Sequence, residues 1–206
     1  MNKKVNRVHA VYITPKFTLV PEEFFEETKK REIVNLVFPP SPNELIEMNH
    51  LETMSGHKLL FAVQRKWKEV ITEKFDGQIK HPVSVLTKKI MNSAEGESSS
   101  LALFFHANTF FAVLVKNNNM LFSNSFHFSH VNDVVYYLLS ALKQLETEPK
   151  ETQLFVAGEI NRDDEISTQL KKYFPHFDYF SPEGTLQIDN DIFTFQTHQY
   201  ISLLDE

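Results

Sequence analysis

The clearest hydrophobic pattern lies in the second half of the chain, where three apolar runs follow one another. These runs are Leu101–Phe105, Phe110–Val115 and Met120–Phe128. The connections His106–Asn108 and Asn117–Asn119 are short and rich in Asn, which tolerates left-handed backbone and closes tight hairpins. The pattern therefore predicts three strands in an antiparallel meander.

Two helices and two more strands are predicted after the meander. Apolar residues three and four positions apart between Val131 and Leu142 predict a helix, which Ser129 would cap and in which Asp133 would face the helix dipole. A strand is expected at Leu154–Ala157, a helix at Asp163–Lys172 and a strand at Phe177–Phe180. This order is typical of the ribonuclease-H-like layout, which occurs once in nucleases and twice in actin-like ATPases.

The first half predicts a shorter copy of the same order. Strands are expected at Val8–Ile13, Leu45–Leu51, Leu59–Val63 and near Ile79, and helices at Pro21–Val34, Arg65–Phe75 and Ser84–Met91. In the first of these helices, Glu26 would pair with Lys30 and Glu27 with Arg31. A faithful copy needs a hairpin before Val8, so we expect an abbreviated lobe or a chain that is a fragment.

A small, polar run near the middle of the chain, Asn92–Ser100, is typical of a linker. It predicts an N-terminal lobe over residues 1–95 and a C-terminal lobe over residues 96–206. The expected fold class is α/β with mixed sheets, arranged as two ribonuclease-H-like lobes of which the first is abbreviated.

Composition and charge narrow the functional classes. The 206 residues carry a net charge of −6 and no basic tract, which argues against nucleic-acid binding. No Cys is present, so thiol chemistry and Cys-zinc sites are excluded. The apolar stretch Val8–Ile13 is too short for a secretory signal, and Phe110–Val115 is too short to span a bilayer. We therefore expect a cytoplasmic protein without membrane insertion.

Several sequence blocks resemble an uncharacterised family of Bacteroidota proteins, domain of unknown function 3822. The blocks lie in both halves of the chain: Thr14–Pro21, Phe24–Phe25, Leu121–Phe126, Asp133, Tyr136–Leu139 and Leu154–Ile160. The resemblance implies an actin-like ATPase fold of two related lobes. It also implies a family start upstream of Val8, in agreement with an abbreviated first lobe.

Actin-like ATPases place Asp and Gly at the first hairpin of each lobe, because backbone N–H groups approach the phosphates and a carboxylate positions hydrated magnesium. The corresponding turn here, His106–Thr109, has neither, and Gly158 is followed by Glu159 where a Gly pair is expected. With five Gly in the chain, a full set of phosphate loops is not expected. The resemblance then favours a degenerate, non-hydrolysing binding or assembly module with a protein partner.

Two alternatives stay open. In the first, the chain is a nucleotide-binding ATPase with atypical phosphate loops, in which Asn108, Thr109, Gly158 and Glu159 would contact ATP and magnesium. In the second, it is an adaptor that binds a peptide or an amphipathic helix, as actin-like pilus-assembly proteins do. The sequence suggests no catalytic residue for either.

Other candidate sites are weaker. His106, His127 and His130 could approach one another, but a zinc site lacks its further ligands, so exposed histidines at strand ends are expected instead. Asp189–Asp191 is expected to form a turn rather than a calcium loop. The apolar tail Ile188–Leu204 should pack back onto the first lobe or present an apolar face to a partner. Tyr136 and Tyr137 cannot both face the core, so one hydroxyl should reach an edge or the cleft.

Overall fold

The chain divides into two units, Met1–Val85 and Leu86–Glu206. The structure is a computed structural model that describes residues 9–51, 56–75, 77–93, 99–180 and 198–199.

Two sheets form the first unit. In chain order the elements are β1 (His9–Val11), β2 (Phe17–Pro21), α1 (Lys30–Asn35), β3 (Glu44–His50), β4 (His57–Gln64), α2 (Arg65–Phe75), β5 (Gln78–Lys80) and α3 (Pro82–Ser93), the last of which continues into the second unit. β1 pairs with β5 in parallel, whereas β2, β4 and β3 form an antiparallel sheet in that order. All three strands of the antiparallel sheet therefore lie, in sequence, between the parallel strands β1 and β5.

The core of the antiparallel sheet lies against α1. Val34 of this helix and Phe38 beyond it pack on Val20 of β2 and on Leu60 and Ala62 of β4. All five side chains are buried. Leu60 and Ala62 point to the same face because side chains alternate along a strand.

The prediction of a helix over Pro21–Val34 is wrong. The chain instead forms the strand β2, two short 3-10 turns and then the six-residue helix α1. The ion pairs follow this change: Glu26 pairs with Lys29 at 2.8 Å and Glu27 with Lys30 at 3.2 Å, at the spacing of three that suits a 3-10 turn. The other predicted helices and strands of this half are confirmed, with small differences at their ends.

The second unit is a five-stranded sheet with two helices after the meander. Its elements are β6 (Ser99–His106), β7 (Thr109–Lys116), β8 (Asn119–His127), α4 (Val131–Gln144), β9 (Thr152–Gly158), α5 (Glu165–Tyr173) and β10 (Phe177–Tyr179). The strand order is β10–β9–β6–β7–β8. β6, β7 and β8 are antiparallel, β9 is parallel to β6, and β10 is parallel to β9. The predicted ribonuclease-H-like order is confirmed.

One face of this sheet packs on α4 and α5. Leu101, Leu103 and Phe105 of β6 contribute to the core with Leu138 of α4 and Leu170 of α5, and all five are buried. Burial on both faces explains why β6 and β7 are apolar throughout rather than alternating.

Aromatic rings extend the core toward β8. Phe126 stacks on Phe110 at 5.1 Å and on Tyr137 at 5.0 Å between ring centroids. Tyr136 is 67% exposed. Tyr137 packs against the core, so the prediction that the two adjacent tyrosines do not both face it is confirmed.

The predicted linker Asn92–Ser100 is shorter than expected at both of its ends. Asn92 and Ser93 belong to α3, and Ser99 and Ser100 begin β6, so regular structure extends into both ends of the predicted linker. Ser99 is buried, and its hydroxyl is satisfied there by a hydrogen bond with Thr152 Oγ1 at 2.8 Å. The intervening residues 94–98 lie outside the described residues, and the lobe boundary at residue 95 stays a prediction.

The N-cap of α4 is His130 rather than Ser129. The Asp133 carboxylate accepts hydrogen bonds from the backbone N–H groups of Ser129 and His130, both at 2.9 Å. These two bonds lower the pKa of Asp133. Asp133 therefore closes the helix start, as the capping box requires.

Candidate functional site

The turn between β6 and β7 corresponds in the predicted layout to the hairpin that binds phosphate in actin-like ATPases. His106 ends β6 and Thr109 begins β7, so Ala107 and Asn108 form a two-residue turn. Ala107 holds the left-handed conformation with φ of 50°. Asn was expected to provide left-handed backbone at both hairpins, but here Ala does so. In the β7–β8 hairpin the expectation is confirmed, with φ of 52° at Asn117 and 58° at Asn118.

Gly158 brings the end of β9 directly beside the end of β6. It lies opposite Phe105 in the parallel register and has φ of +87°. A Cβ at this position would lie 2.1 Å from the Phe105 carbonyl oxygen. The next residue, Glu159, donates its backbone N–H to the same oxygen at 2.8 Å. Only glycine allows this approach, and it fixes where the Glu159 side chain starts.

The Glu159 carboxylate bonds the β6–β7 turn through both of its oxygens. Oε1 lies 2.9 Å from His106 Nδ1, and Oε2 accepts the Ala107 backbone N–H at 2.8 Å. Because an ionised carboxylate only accepts hydrogen bonds, His106 Nδ1 carries the proton. The side chains of His106 and Glu159 are 44% and 59% exposed. The anionic group bound at this turn is therefore the Glu159 carboxylate of the same chain.

The other two predicted site residues lie on the same turn but make different contacts. The Asn108 carbonyl accepts the Phe128 N–H at 2.9 Å, and Asn108 Nδ2 lies 3.5 Å from His127 Nε2. Thr109 is paired with His106 and His127 in the sheet register. The structure thus brings Asn108, Thr109, Gly158 and Glu159 to one end of the sheet, and their role in binding a nucleotide stays a prediction.

A family profile described as Protein of unknown function (DUF3822) matches residues 1–177. The chain belongs to this family. The predicted resemblance is thereby confirmed.

Solved structures support the fold of this DUF3822 chain. A Bacteroides thetaiotaomicron protein with actin-like ATPase fold and unknown function is similar with a TM-score of 0.75 and 20% identity, over 87% of this chain and 70% of that chain. A chain of the PilM-PilN type IV pilus biogenesis complex is similar with a TM-score of 0.56 and 13% identity, over 95% of this chain and 77% of that chain. No curated protein sequence matches significantly. The fold of the DUF3822 chain is therefore actin-like.

Among the described residues, no group of three or more His, Asp or Glu side chains could hold a metal ion. This includes His106, His127 and His130. Asp189–Asp191 lies outside the described residues. Within the described parts of the chain, no helix combines the length and apolarity needed to cross a membrane.

Part of the C-terminal tail packs on the second unit. Of the predicted docking segment, only His198 and Gln199 belong to the described residues. The His198 side chain is buried, its Nε2 lies 2.7 Å from the Ile160 carbonyl, and its ring lies 4.5 Å from that of Tyr179. Burial lowers the pKa of His198. In these contacts the described part of the tail lies against residues of the second unit rather than the first lobe that was expected.

Sequence reasoning missed a buried histidine in the first unit. His81 Nε2 donates to the Thr14 carbonyl at 2.8 Å, and His81 Nδ1 accepts the Val83 N–H at 3.2 Å. The ring lies 4.7 Å from Phe17 and 5.2 Å from Phe61. Complete burial lowers the pKa of His81 from 6.5 to about 4, so the ring is neutral. The available signal was its position directly before Pro82, which starts α3.

Proposed function

We propose that this DUF3822 protein is a cytoplasmic binding or assembly module that uses the actin-like fold as a scaffold and does not hydrolyse ATP. The observation that carries the proposal is the Glu159 carboxylate on the β6–β7 turn. In an actin-like ATPase, backbone N–H groups of this turn bind phosphate. Here the Ala107 N–H already has an anionic partner from within the chain.

Electrostatics support the same conclusion. A phosphate at the turn would share its donor with Glu159 and would lie beside a negative charge, whose repulsion solvent weakens but does not remove. The turn also lacks the Asp that would position magnesium. Both the attraction for the phosphates and the metal ligand are therefore weakened.

The pilus complex supports a protein partner. That neighbour is described as a complex of PilM with PilN, and its fold matches nearly all of this chain. An actin-like fold thus occurs in a protein that assembles with another. By analogy, the partner of the DUF3822 protein would be another protein, with the peptide-binding adaptor as one form of this proposal.

An ATPase with atypical loops is the second candidate. It is favoured by the 59% exposure of the Glu159 side chain, which allows the carboxylate to leave the turn. In this case Glu159 would bind magnesium, Asn108 and Thr109 would contact phosphate, and Gly158 would give room for the nucleotide. These four residues are the candidates that a nucleotide experiment should examine.

Calorimetric titration of the full chain with ATP and magnesium, together with a phosphate-release assay, tests the proposal. We expect no saturable heat and no release above the protein-free rate. A Thr109→Ala variant is compared with Thr72→Ala, which removes the same group from the surface of α2. Saturable binding with turnover, weakened by Thr109→Ala and unchanged by Thr72→Ala, would establish the ATPase instead.

Affinity capture with the full chain tests the binding half of the proposal. We expect a partner protein at constant stoichiometry over independent captures, which co-elutes with the chain when both are purified. A chain that elutes alone in every capture would count against an assembly module.

A further inference from the structure

A polar cavity lies at the start of α2 in the first unit. Its volume is about 440 Å³, which falls within the range of small-ligand pockets, roughly 300–1,000 Å³. Three neutral polar residues and three charged ones line it: Ser41, Asn43, Gln64, Arg65, Lys66 and Glu69. None of these six residues is apolar, so the cavity suits a polar or charged ligand.

Hydrogen bonds hold the walls of this cavity in place. The Arg65 N–H donates to the Asn43 carbonyl at 2.8 Å, which ties the start of α2 to the segment before β3. In that segment, the Ser41 N–H donates to Glu44 Oε2 at 2.7 Å, and the Glu44 N–H donates to the Ser41 carbonyl at 3.0 Å. The cavity is therefore formed before a ligand binds, and binding does not have to order this segment.

The two cations of the cavity have no anionic partner. Within the described part of the chain, the side chains of Arg65 and Lys66 form no ion pair and no hydrogen bond. Both carboxylates of the neighbouring strand β3, Glu44 and Glu47, already pair with lysines. Glu69 contributes the one carboxylate of the lining, so the lining carries a net positive charge. The cavity therefore attracts an anionic group.

The other lining groups distinguish between kinds of anion. The two amides and the hydroxyl of the lining each donate and accept hydrogen bonds, as a peptide group does. An ionised Glu69 repels a phosphate dianion but accepts a backbone N–H. An acidic peptide supplies both sets of partners, because its side-chain carboxylates pair with Arg65 and Lys66 while its backbone bonds the remaining groups. The lining thus fits an acidic peptide better than a free phosphate.

We propose that this cavity binds an acidic segment of a partner protein, whose Asp or Glu side chains pair with Arg65 and Lys66. The inference deepens the proposed function and rests on it, because it names the chemistry by which an assembly module recognises its partner. The site uses no residue of the β6–β7 turn. Exposed ion pairs are weak, so a short acidic peptide binds weakly, and tight binding requires further contacts with the whole partner.

A glutamate pentapeptide with blocked ends serves as the probe, and NMR of the natural full chain reports where it binds. We expect saturable shifts of the Arg65 and Lys66 amides, and of the indole N–H of Trp67, which follows Lys66 directly. The affinity should fall as salt is added, because salt screens the ion pairs. A glutamine pentapeptide with the same blocked ends should bind at least ~5-fold more weakly, since it lacks the charges.

A double variant and a matched control locate the binding site. Arg65→Gln combined with Lys66→Gln should weaken binding of the glutamate peptide by about 5–10-fold, since Gln keeps the helix propensity and removes only the charges. Lys74→Gln removes an exposed charge from the same helix, about 13 Å further along its axis. This control should bind the peptide as the natural chain does. The two single substitutions replace the double variant if it does not fold.

The inference is overturned if the glutamate peptide leaves the Arg65 and Lys66 amides unshifted, if the glutamine peptide binds equally well, or if Lys74→Gln weakens binding as much as the double variant does. Tighter binding of inorganic phosphate, or shifts of the same amides when the chain alone is concentrated, would also overturn it, because the ligand would then be a free anion or a second copy. These results leave the proposed function intact. That proposal fails if the natural chain hydrolyses ATP or elutes alone in every capture.

Discussion

His81 in the first unit and His106 in the second show how burial decides what a histidine can do. His81 is fully buried, its ring hydrogen-bonds backbone groups of Thr14 and Val83, and it packs against two phenylalanine rings. His106 is 44% exposed and bonds a carboxylate that is itself exposed. The first ring joins segments of the fold, whereas the second lies where a solute can reach it.

The difference teaches that hydrogen bonding alone does not identify a functional residue. Both rings have well-formed bonds of about the same length. Removing a buried partner leaves an unsatisfied polar group, whereas water replaces an exposed one. We therefore expect a change at His81 to cost more stability than a change at His106, whose exposed partner water can replace.

The largest expected effect comes from the backbone that supports Glu159. Gly158→Ala would place a Cβ 2.1 Å from the Phe105 carbonyl oxygen, at a residue whose φ is +87°. We expect the free energy of unfolding to fall by about 3–5 kcal/mol, since backbone strain and overpacking add. Guanidinium denaturation followed by circular dichroism measures the change.

Gly56→Ala is the matched control for this substitution. Gly56 also has a positive φ, of +95°, but no atom lies within 4 Å of the added Cβ. Only the backbone strain remains, so a loss of about 1–2 kcal/mol is expected. Equal losses in the two variants would show that the close approach of β9 to β6 is unimportant.

The next largest effect is the pH dependence of the free energy of unfolding that His81 produces. The unfolded chain protonates His81 near pH 6.5, whereas the folded protein does so only near pH 4. Between these values the unfolded state binds more protons, so the free energy of unfolding falls as the pH falls. The contribution of His81 between pH 7 and pH 5 is a loss of about 2 kcal/mol.

Trp67, the single tryptophan, lies in α2 of the first unit and provides a fluorescence signal for its unfolding. Denaturation curves at pH 7 and pH 5 should show a smaller pH-dependent loss for His81→Gln than for the natural chain. His106→Gln leaves His81 in place and should keep the loss that His81 contributes. If His106→Gln abolished the pH dependence and His81→Gln kept it, the assignment of the two histidines would be reversed.

The smallest effect concerns the turn itself. Ala107 has φ of 50°, a conformation that glycine adopts more readily. Ala107→Gly should raise the free energy of unfolding by about 0.5 kcal/mol. In α4, where Ala141 is helical, the same change should lower it by about 1 kcal/mol. Changes of the same sign in both variants would contradict the strained turn.

Much of the second unit could be predicted from sequence because its apolar runs coincide with buried strands. The segments Leu101–Phe105 and Phe110–Val115 lie wholly inside β6 and β7. The order of elements then led to the ribonuclease-H-like layout. In this half, hydrophobic pattern and tertiary burial agree.

The first unit was harder because local charge spacing competed with strand pairing. Glu26, Glu27, Lys30 and Arg31 suit an α-helix, yet the preceding residues pair with β4 as strand β2. Pro21 can end this strand because β2 lies at the edge of the sheet, where a missing N–H is tolerated. Such pairing between distant segments is not visible in local periodicity.

The structure brings the four predicted site residues to one end of the sheet, and their role in binding a ligand stays a prediction. Asn108, Thr109, Gly158 and Glu159 were chosen by analogy with phosphate loops, and the contact between Glu159 and the Ala107 N–H was not foreseen. It depends on the parallel register that sets Gly158 beside Phe105. A register between strands some fifty residues apart cannot be read from either strand alone.

The amide resonance of Ala107 in the natural chain, recorded during a titration with ATP and magnesium, tests the central claim most directly. Because the Ala107 N–H is already hydrogen-bonded to the Glu159 carboxylate, we expect ATP and magnesium to leave this resonance unchanged. A saturable shift of the Ala107 amide, accompanied by release of phosphate, would contradict the account.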